Sequence, residues 1–166
     1  MNYTIRPIQN ADIAEYLALT NHINKETSFL GTSPDDPIPS PMQLAMLIKT
    51  GRQIIFVAEH ENGSLIAHLG AFWRRGQGKK LKHSMCVGLG VAKDFWRHGI
   101  GNALFEAFEA WAVGAGITRL ELEVMTHNKA GIALYKKRGF EIEGTKRNSI
   151  KLEDRYIDEH LMSKLL

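Results

Sequence analysis

Hydrophobic and polar positions change period several times along the chain, and each change marks an element. A short alternating stretch around Thr4 to Arg6 predicts a strand, and Asn10 predicts the cap of a helix whose Ile13, Leu17 and Thr20 share one face. Four prolines follow in SPDDPIPSP, so residues 31–41 read as a loop, because fixed φ angles and missing N–H donors exclude regular structure. The loop ends in a capping box, with Ser40 as N-cap, Pro41 at the first helical position and Gln43 at the third. In RQIIFVAEHENGSLIAHLGAFW two β-rich runs flank Glu61-Asn62-Gly63, which predicts a hairpin. RRGQGKKLK reads as a basic turn, and HSMCVGLGV as a strand in which Gly88 and Gly90 permit a bulge or a close approach. From Gly101 the period becomes helical, with Ile100, Leu104, Ala107, Phe108, Trp111 and Ala115 on one stripe and Glu106 and Glu109 off it. Gly114 and Gly116 end that helix. RLELEV alternates as a strand, Asn128 caps a helix that Gly139 closes, and GFEIEGTKR and RYIDEHLM are two further strands. A β-meander followed by a β-α-β unit gives an α/β (α+β) fold, a single layered domain over residues 1–166.

Composition agrees with that organisation and narrows the class. With 44% hydrophobic and 23% charged residues the chain reads as one soluble globular domain with a real core. Its longest apolar run, IIFVA, is far short of the roughly 20 residues that span a bilayer, and the N-terminus has no apolar stretch behind a basic start, so no membrane partner and a cytoplasmic location are expected. The single cysteine, Cys86, and the absence of paired Cys or His spacings predict no disulfide and no metal. A formal charge of +3 suits an anionic ligand as readily as nucleic acid. The basic residues are not interleaved with aromatics and no nucleic-acid motif occurs, so nucleic acid is not the expected partner.

FWRHGIGNAL, residues 95–104, is the stretch that changes the picture. A strand, a short turn and RHGIG opening a helix place several backbone N–H groups at a helix N-terminus, where an anion is favoured. Gly99 and Gly101 carry no Cβ to hold a phosphate away, and Arg97 and His98 offer side-chain donors. The bland alternative is a glycine-rich turn without a ligand. Gly99-Ile100-Gly101 lacks the third glycine of a dinucleotide fingerprint, as does Gly88-Leu89-Gly90, and no Walker A loop is present.

WRHGIG, Trp96 to Gly101, resembles the pyrophosphate loop of the GNAT superfamily, whose members transfer an acyl group from acyl-CoA to an amine. Trp96 stands where that pattern has Gln or Arg, with Arg97 one place later. The resemblance continues through VMTHNKAGIALYKKRGFEIEG and the closing YIDEHLMSKLL, and covers the chain from about residue 3 to its end. It implies a central mixed, twisted sheet splayed around acetyl-CoA between the strand before the loop and LELEV, with helices on both faces. It implies pantetheine pairing with the backbone of Leu89 and Val91, and pyrophosphate binding by Trp96, Arg97, His98, Gly99, Ile100, Gly101 and Asn102. Asn128 would bind CoA as well as cap its helix, and Tyr135 would lie beside the thioester as general acid. Tyr135 also fits plain core packing at helical spacing with Ile132. The resemblance further implies that the proline loop covers the acceptor and that closing strands meet in a homodimer.

Direct attack on a thioester needs a neutral amine, whereas a lysine-like amine is mostly protonated at pH 7, so a base or a water chain must remove a proton. Many relatives carry a glutamate in the strand before the loop, but MCVGLGV has no carboxylate. The remaining candidates are Glu121 and Glu123 on one face of LELEV, His83 and His127, with Glu123 and then His83 preferred. Cys86 as an acyl carrier and the basic turn as a steering device for an anionic acceptor are further readings. Two functions from different classes follow. One is an N-acetyltransferase moving acetyl from acetyl-CoA to a primary amine of a small molecule or a protein in a ternary complex. The other is a non-catalytic CoA-binding sensor or docking module of the same fold.

Overall fold

A computed structural model describes all 166 residues. Seven strands form one sheet in the order β1-β2-β3-β4-β5-β7-β6. They are β1 (Tyr3–Pro7), β2 (Gln53–His60), β3 (Leu65–Phe72), β4 (Ser84–Val91), β5 (Arg119–Met125), β6 (Glu141–Leu152) and β7 (Arg155–Leu165). The helices are α1 (Ile13–Glu26), α2 (Pro41–Lys49), α3 (Ile100–Gly114) and α4 (Lys129–Lys137). All neighbours pair antiparallel except β4 and β5, which are parallel and joined through α3 as a crossover requires. The expected mixed sheet with helices on both faces is therefore present.

Two hydrophobic clusters lie on opposite faces of this sheet. Phe56, Leu69, Met85, Val87, Leu120 and Leu122 pack against Leu104, Phe105 and Phe108 of α3, with Ile132 and Tyr135 of α4 at the margin. Ile55, Val57 and Leu65 pack against Ile13, Tyr16, Leu19 and Ile23 of α1 and Leu44 of α2. The buried stripe of α1 is thus Ile13, Tyr16, Leu19 and Ile23, rather than the expected face through Leu17 and Thr20. Asn10 is not a cap either: it opens a short 3-10 turn, where Gln9 N donates to the Asp12 carboxylate at 2.7 Å. Arg6 fixes that turn by bonding Asp12 and Glu59 at 2.6 Å each. The α2 capping box and the Gly63 hairpin turn form as expected, Gly63 with φ +88°.

In α3 the expected stripe is shifted by tertiary packing. Phe105 and Ala112 are fully buried, whereas Ala115 lies exposed beyond the helix. Glu109, expected off the stripe, is pulled inward by Arg138 and by Lys164 at 2.9 Å, tying α3 to β7 and the end of α4. At the other end of the sheet the β6 edge has two register shifts and exposes Lys146, Arg147 and Lys151. Bulges and edge lysines disfavour strand addition by another chain at that edge.

β3 and β4 pair without a register shift, so the glycines of β4 do not form a bulge there. Gly90 serves the close approach instead. His68 lies opposite it in the ladder, and a Cβ at 90 would sit 2.7 Å from His68 Nε2 and 3.2 Å from Ile23. Both imidazole nitrogens are buried without a hydrogen-bond partner, and the ring stands edge-on against Tyr16 at 5.0 Å.

Burial lowers the His68 pKa to about 4. The unfolded chain, with an ordinary histidine near 6.5, binds the extra proton first as pH falls. The stability this group contributes is therefore complete above pH 6.5 and is lost as pH drops toward 4. Urea titrations at pH 7 and pH 5 are expected to show a loss of about 2 kcal/mol from this site, which His68→Leu removes. An unaltered pH dependence in that variant contradicts the assignment.

Candidate active site

The parallel pair β4 and β5 is bonded over three residues only, Ser84–Cys86 against Arg119–Glu121. Beyond Cys86 the strands part. Val87–Val91 keep their partners on β3, while their other edge, toward β5, has no strand beside it. A strand edge with unpaired backbone groups, enclosed between two diverging strands, is suited to an extended ligand that bonds as another strand would.

The loop after β4 sits at the open end of this cleft. Arg97 and Gly99 are both left-handed, with φ of +64° and +79°, and Gly99 is the N-cap of α3. None of the backbone N–H groups from Arg97 to Asn102 donates within the chain. Six donors at the positive end of a fifteen-residue helix form an anion cradle. The two glycines do different jobs. A Cβ at Gly99 would meet nothing within 4 Å, so this residue supplies the backbone turn and open access. At Gly101 a Cβ would lie 3.0 Å from Leu134 and 3.1 Å from Leu89, so the absence of a side chain here lets α4 and β4 close against α3. Trp96 is 42% exposed and its indole donates to the Val91 carbonyl at 2.7 Å, a bond that holds the loop to the strand end. Lys93 N donates to Glu26 at 2.9 Å, tying the loop to the end of α1.

The same packing brings α4 to the cleft. Asn128 Oδ1 accepts from Gly131 N at 2.9 Å, which caps α4 and leaves the amide NH2 without a partner in the chain. Tyr135 stands edge-on to Phe105 at 5.9 Å and against Phe140 at 6.0 Å. Burial pushes its phenol up to about 12, so it stays protonated through the neutral range. Leu89, Val91 and Tyr135 border the same core cluster, and Leu89 and Leu134 both lie close to Gly101 at the start of α3.

The two preferred base candidates are placed differently. Glu123 is on the other face of the sheet from α3, with one carboxylate oxygen bonded to both Arg74 and Lys146. Burial raises its pKa, but the hydrogen bonds from Lys146 and Arg74 outweigh this and hold it below the usual carboxylate range. A carboxylate so stabilised is a poor proton acceptor. His83 is exposed at the paired end of β4, six residues or roughly 20 Å of strand from Leu89, too far to serve a reaction at the opening. His127 lies at the end of β5 against Phe29 of the loop after α1, ring centroids 5.3 Å apart. Burial raises the Cys86 thiol against the opposing pull of Arg74, so it is held as the neutral thiol. Sequence reasoning missed Arg74. Its guanidinium bonds Glu123 and, at 3.1 Å, the Cys86 sulfur, bridging the strands where they part. Only its place in a basic turn marked it in the sequence.

Comparison with known proteins now bears on this geometry. A model described as the Acetyltransferase (GNAT) family matches residues 17–140. The chain belongs to the acetyltransferase (GNAT) family. An acetyltransferase of the GNAT family from Streptococcus pneumoniae superposes with a TM-score of 0.92 at 30% identity, covering 99% of this chain and 100% of that one. A GNAT superfamily phosphinothricin acetyltransferase from Sinorhizobium meliloti, solved in complex with AcCoA, shares the fold with a TM-score of 0.86 at 20% identity, over 100% of this chain and 89% of that one. The L-amino acid N-acetyltransferase AaaT of Escherichia coli (strain K12) is 30% identical over 105 residues, 63% of this chain; the match spans 64% of that protein's length. No helix of this GNAT chain is long and apolar enough to cross a membrane.

Gly99→Ala tests the cradle directly. A side chain at φ +79° costs about 1–2 kcal/mol. Calorimetric binding of CoA is expected to weaken by about ten-fold, since the strained loop relaxes away from the pyrophosphate. CoA affinity equal to that of the parent chain rules the loop out as the pyrophosphate site.

Proposed function

We propose that this chain is an N-acetyltransferase that binds acetyl-CoA in the β4/β5 cleft and delivers its acetyl group to a primary amine. The observation carrying this reading is the conjunction of a free strand edge, Val87–Val91, with six unpaired N–H groups at the start of α3. The edge, through Leu89 and Val91, takes the pantetheine arm. The cradle from Arg97 to Asn102 takes the pyrophosphate, with Trp96, its own N–H bonded to the Lys93 carbonyl, holding the loop in place. The spare Asn128 amide reaches CoA from the other side, and Arg97 and His98 add charge-complementary donors. Free amino acids are the first acceptors to examine, on the strength of the Escherichia coli relative. A lone buried Cys86 suits a reducing, cytoplasmic setting.

In the transfer, a neutral amine attacks the thioester carbon, a tetrahedral adduct forms, the C–S bond breaks and the thiolate of CoA leaves. Tyr135, protonated and with its hydroxyl free of any partner in the chain, supplies the proton to that thiolate and regains one from solvent. The amine loses its proton to water, because Glu123 is held by Arg74 and Lys146 and His83 is remote. The open space at Gly88, where a Cβ would meet nothing within 4 Å, leaves room for that water.

Free-thiol release from acetyl-CoA, followed with pooled amino acids, polyamines, aminoglycosides and peptides, tests the activity. Release above the no-acceptor rate is expected with at least one pool, and silence in all of them favours the CoA-binding sensor. With a competent acceptor, Tyr135→Phe is expected to lower kcat by about 100-fold with the KM for acetyl-CoA little changed. Glu123→Gln is expected to keep kcat within about five-fold. A loss comparable to that of Tyr135→Phe, with the acidic limb of the pH profile gone, would return Glu123 to the role of base.

A further inference from the structure

The basic turn between β3 and β4 is not used by the cofactor site. Between Trp73 and Ser84 the chain carries Arg74, Arg75, Lys79, Lys80 and Lys82 and no acid. The turn is built to a shape: the Trp73 indole donates to the Lys82 carbonyl at 3.0 Å, Leu81 and Lys82 both donate to Gly78, and Gln77 reaches Gly51 at 3.3 Å. It borders a cleft of about 240 Å³ lined by Arg74, Arg75, Lys80, His83, Arg119 and Glu121, with Ser84 at its floor. Two of these cations are already neutralised, Arg74 by Glu123, and Arg119 by Glu143 and Glu121. Arg75 and Lys80 have no counter-ion, so the cleft holds uncompensated positive charge.

One face of β4 runs from this cleft toward the proposed reaction site. Ser84, Cys86 and Gly88 alternate onto that face, Ser84 in the cleft, Cys86 under Arg74, and Gly88 at open space beyond the point where the strands part. Gly88 is four residues of strand, roughly 13 Å, from Ser84 in the cleft.

Resting on the N-acetyltransferase reading, we propose that the cleft holds an anionic group of the acceptor. The acceptor is then a primary amine with a carboxylate or phosphate up to roughly 13 Å away, the span of an acidic dipeptide or a long ω-amino acid, and longer than the span within the backbone of one α-amino acid. Arg75 and Lys80 supply the charge, and the amine extends along β4 toward Gly88.

Acetyl transfer to glycine, 4-aminobutanoate, 6-aminohexanoate and 8-aminooctanoate, each against the alkylamine of matching length, tests the span. The kcat/KM preference for the anionic member is expected to emerge at the longer spans and to fall about ten-fold in Arg75→Ser/Lys80→Ser. A preference already complete at glycine, or one untouched by the double substitution, overturns the proposal while leaving the acetyltransferase intact. If no amine is acetylated, the N-acetyltransferase reading fails by itself and inorganic phosphate decides the cleft. A saturable shift of the His83 imidazole resonance, abolished in the double variant, upholds an anion site, and no saturable shift overturns it.

Discussion

Everything distinctive about this domain depends on how briefly β4 and β5 stay together. Parallel neighbours ordinarily satisfy each other's backbone groups along their whole length, and here they do so for three residues before diverging. The remaining edge of β4 would be costly to leave dry and unpaired, so it must meet either water or a ligand. The sheet is strong enough to tolerate this because the two sides of the gap are each anchored separately. β4 is held by an unbroken antiparallel ladder to β3, and β5 by a seven-residue ladder to β7. Helix α3 covers β1–β4 on one face, with Phe105 and Phe108 packed in the core. On the other face Arg74 links Cys86 to Glu123 across the fork.

From that gap the roles of the surrounding residues follow in order. A ligand entering it presents its charged end where β4 stops, and the chain there turns through two left-handed residues into the amide-rich start of α3. On the proposed reading its reactive end lies near Tyr135, which is held by aromatic neighbours and kept protonated by burial. In the proposed arrangement one face of the fork takes the cofactor, and the other, carrying Ser84, Cys86 and Gly88, faces the acceptor and the charge of the basic turn.

The fold was largely legible. Asn62-Gly63, the Ser40 capping box, Asn128 and Gly139 each dictate a local backbone conformation through side-chain size or a short-range hydrogen bond, and each behaved as read. The α1 stripe was misread because Leu17 and Tyr16 are both apolar enough to face inward; the choice fell to Tyr16, which packs on His68 of a distant strand. Glu109 was read as solvent-facing from its place on the helix, which cannot register the approach of Arg138 and Lys164.

The sequence by itself determined the strand-loop-helix unit at residues 84–114, the glycine positions and the cap of α4, because these follow from φ preferences and from bonds within a few residues. Only the tertiary structure decided which chemistry each charged group retains. Glu123 reads as a free carboxylate in LELEV, and becomes an ion-pair partner only when Arg74 and Lys146, 49 and 23 residues away, fold against it. Gly101 reads as part of a phosphate loop, and its missing Cβ also lets Leu89 and Leu134 pack close to the helix start. Proton affinity and packing are set by neighbours in space, and sequence spacing carries no record of them beyond a helical turn.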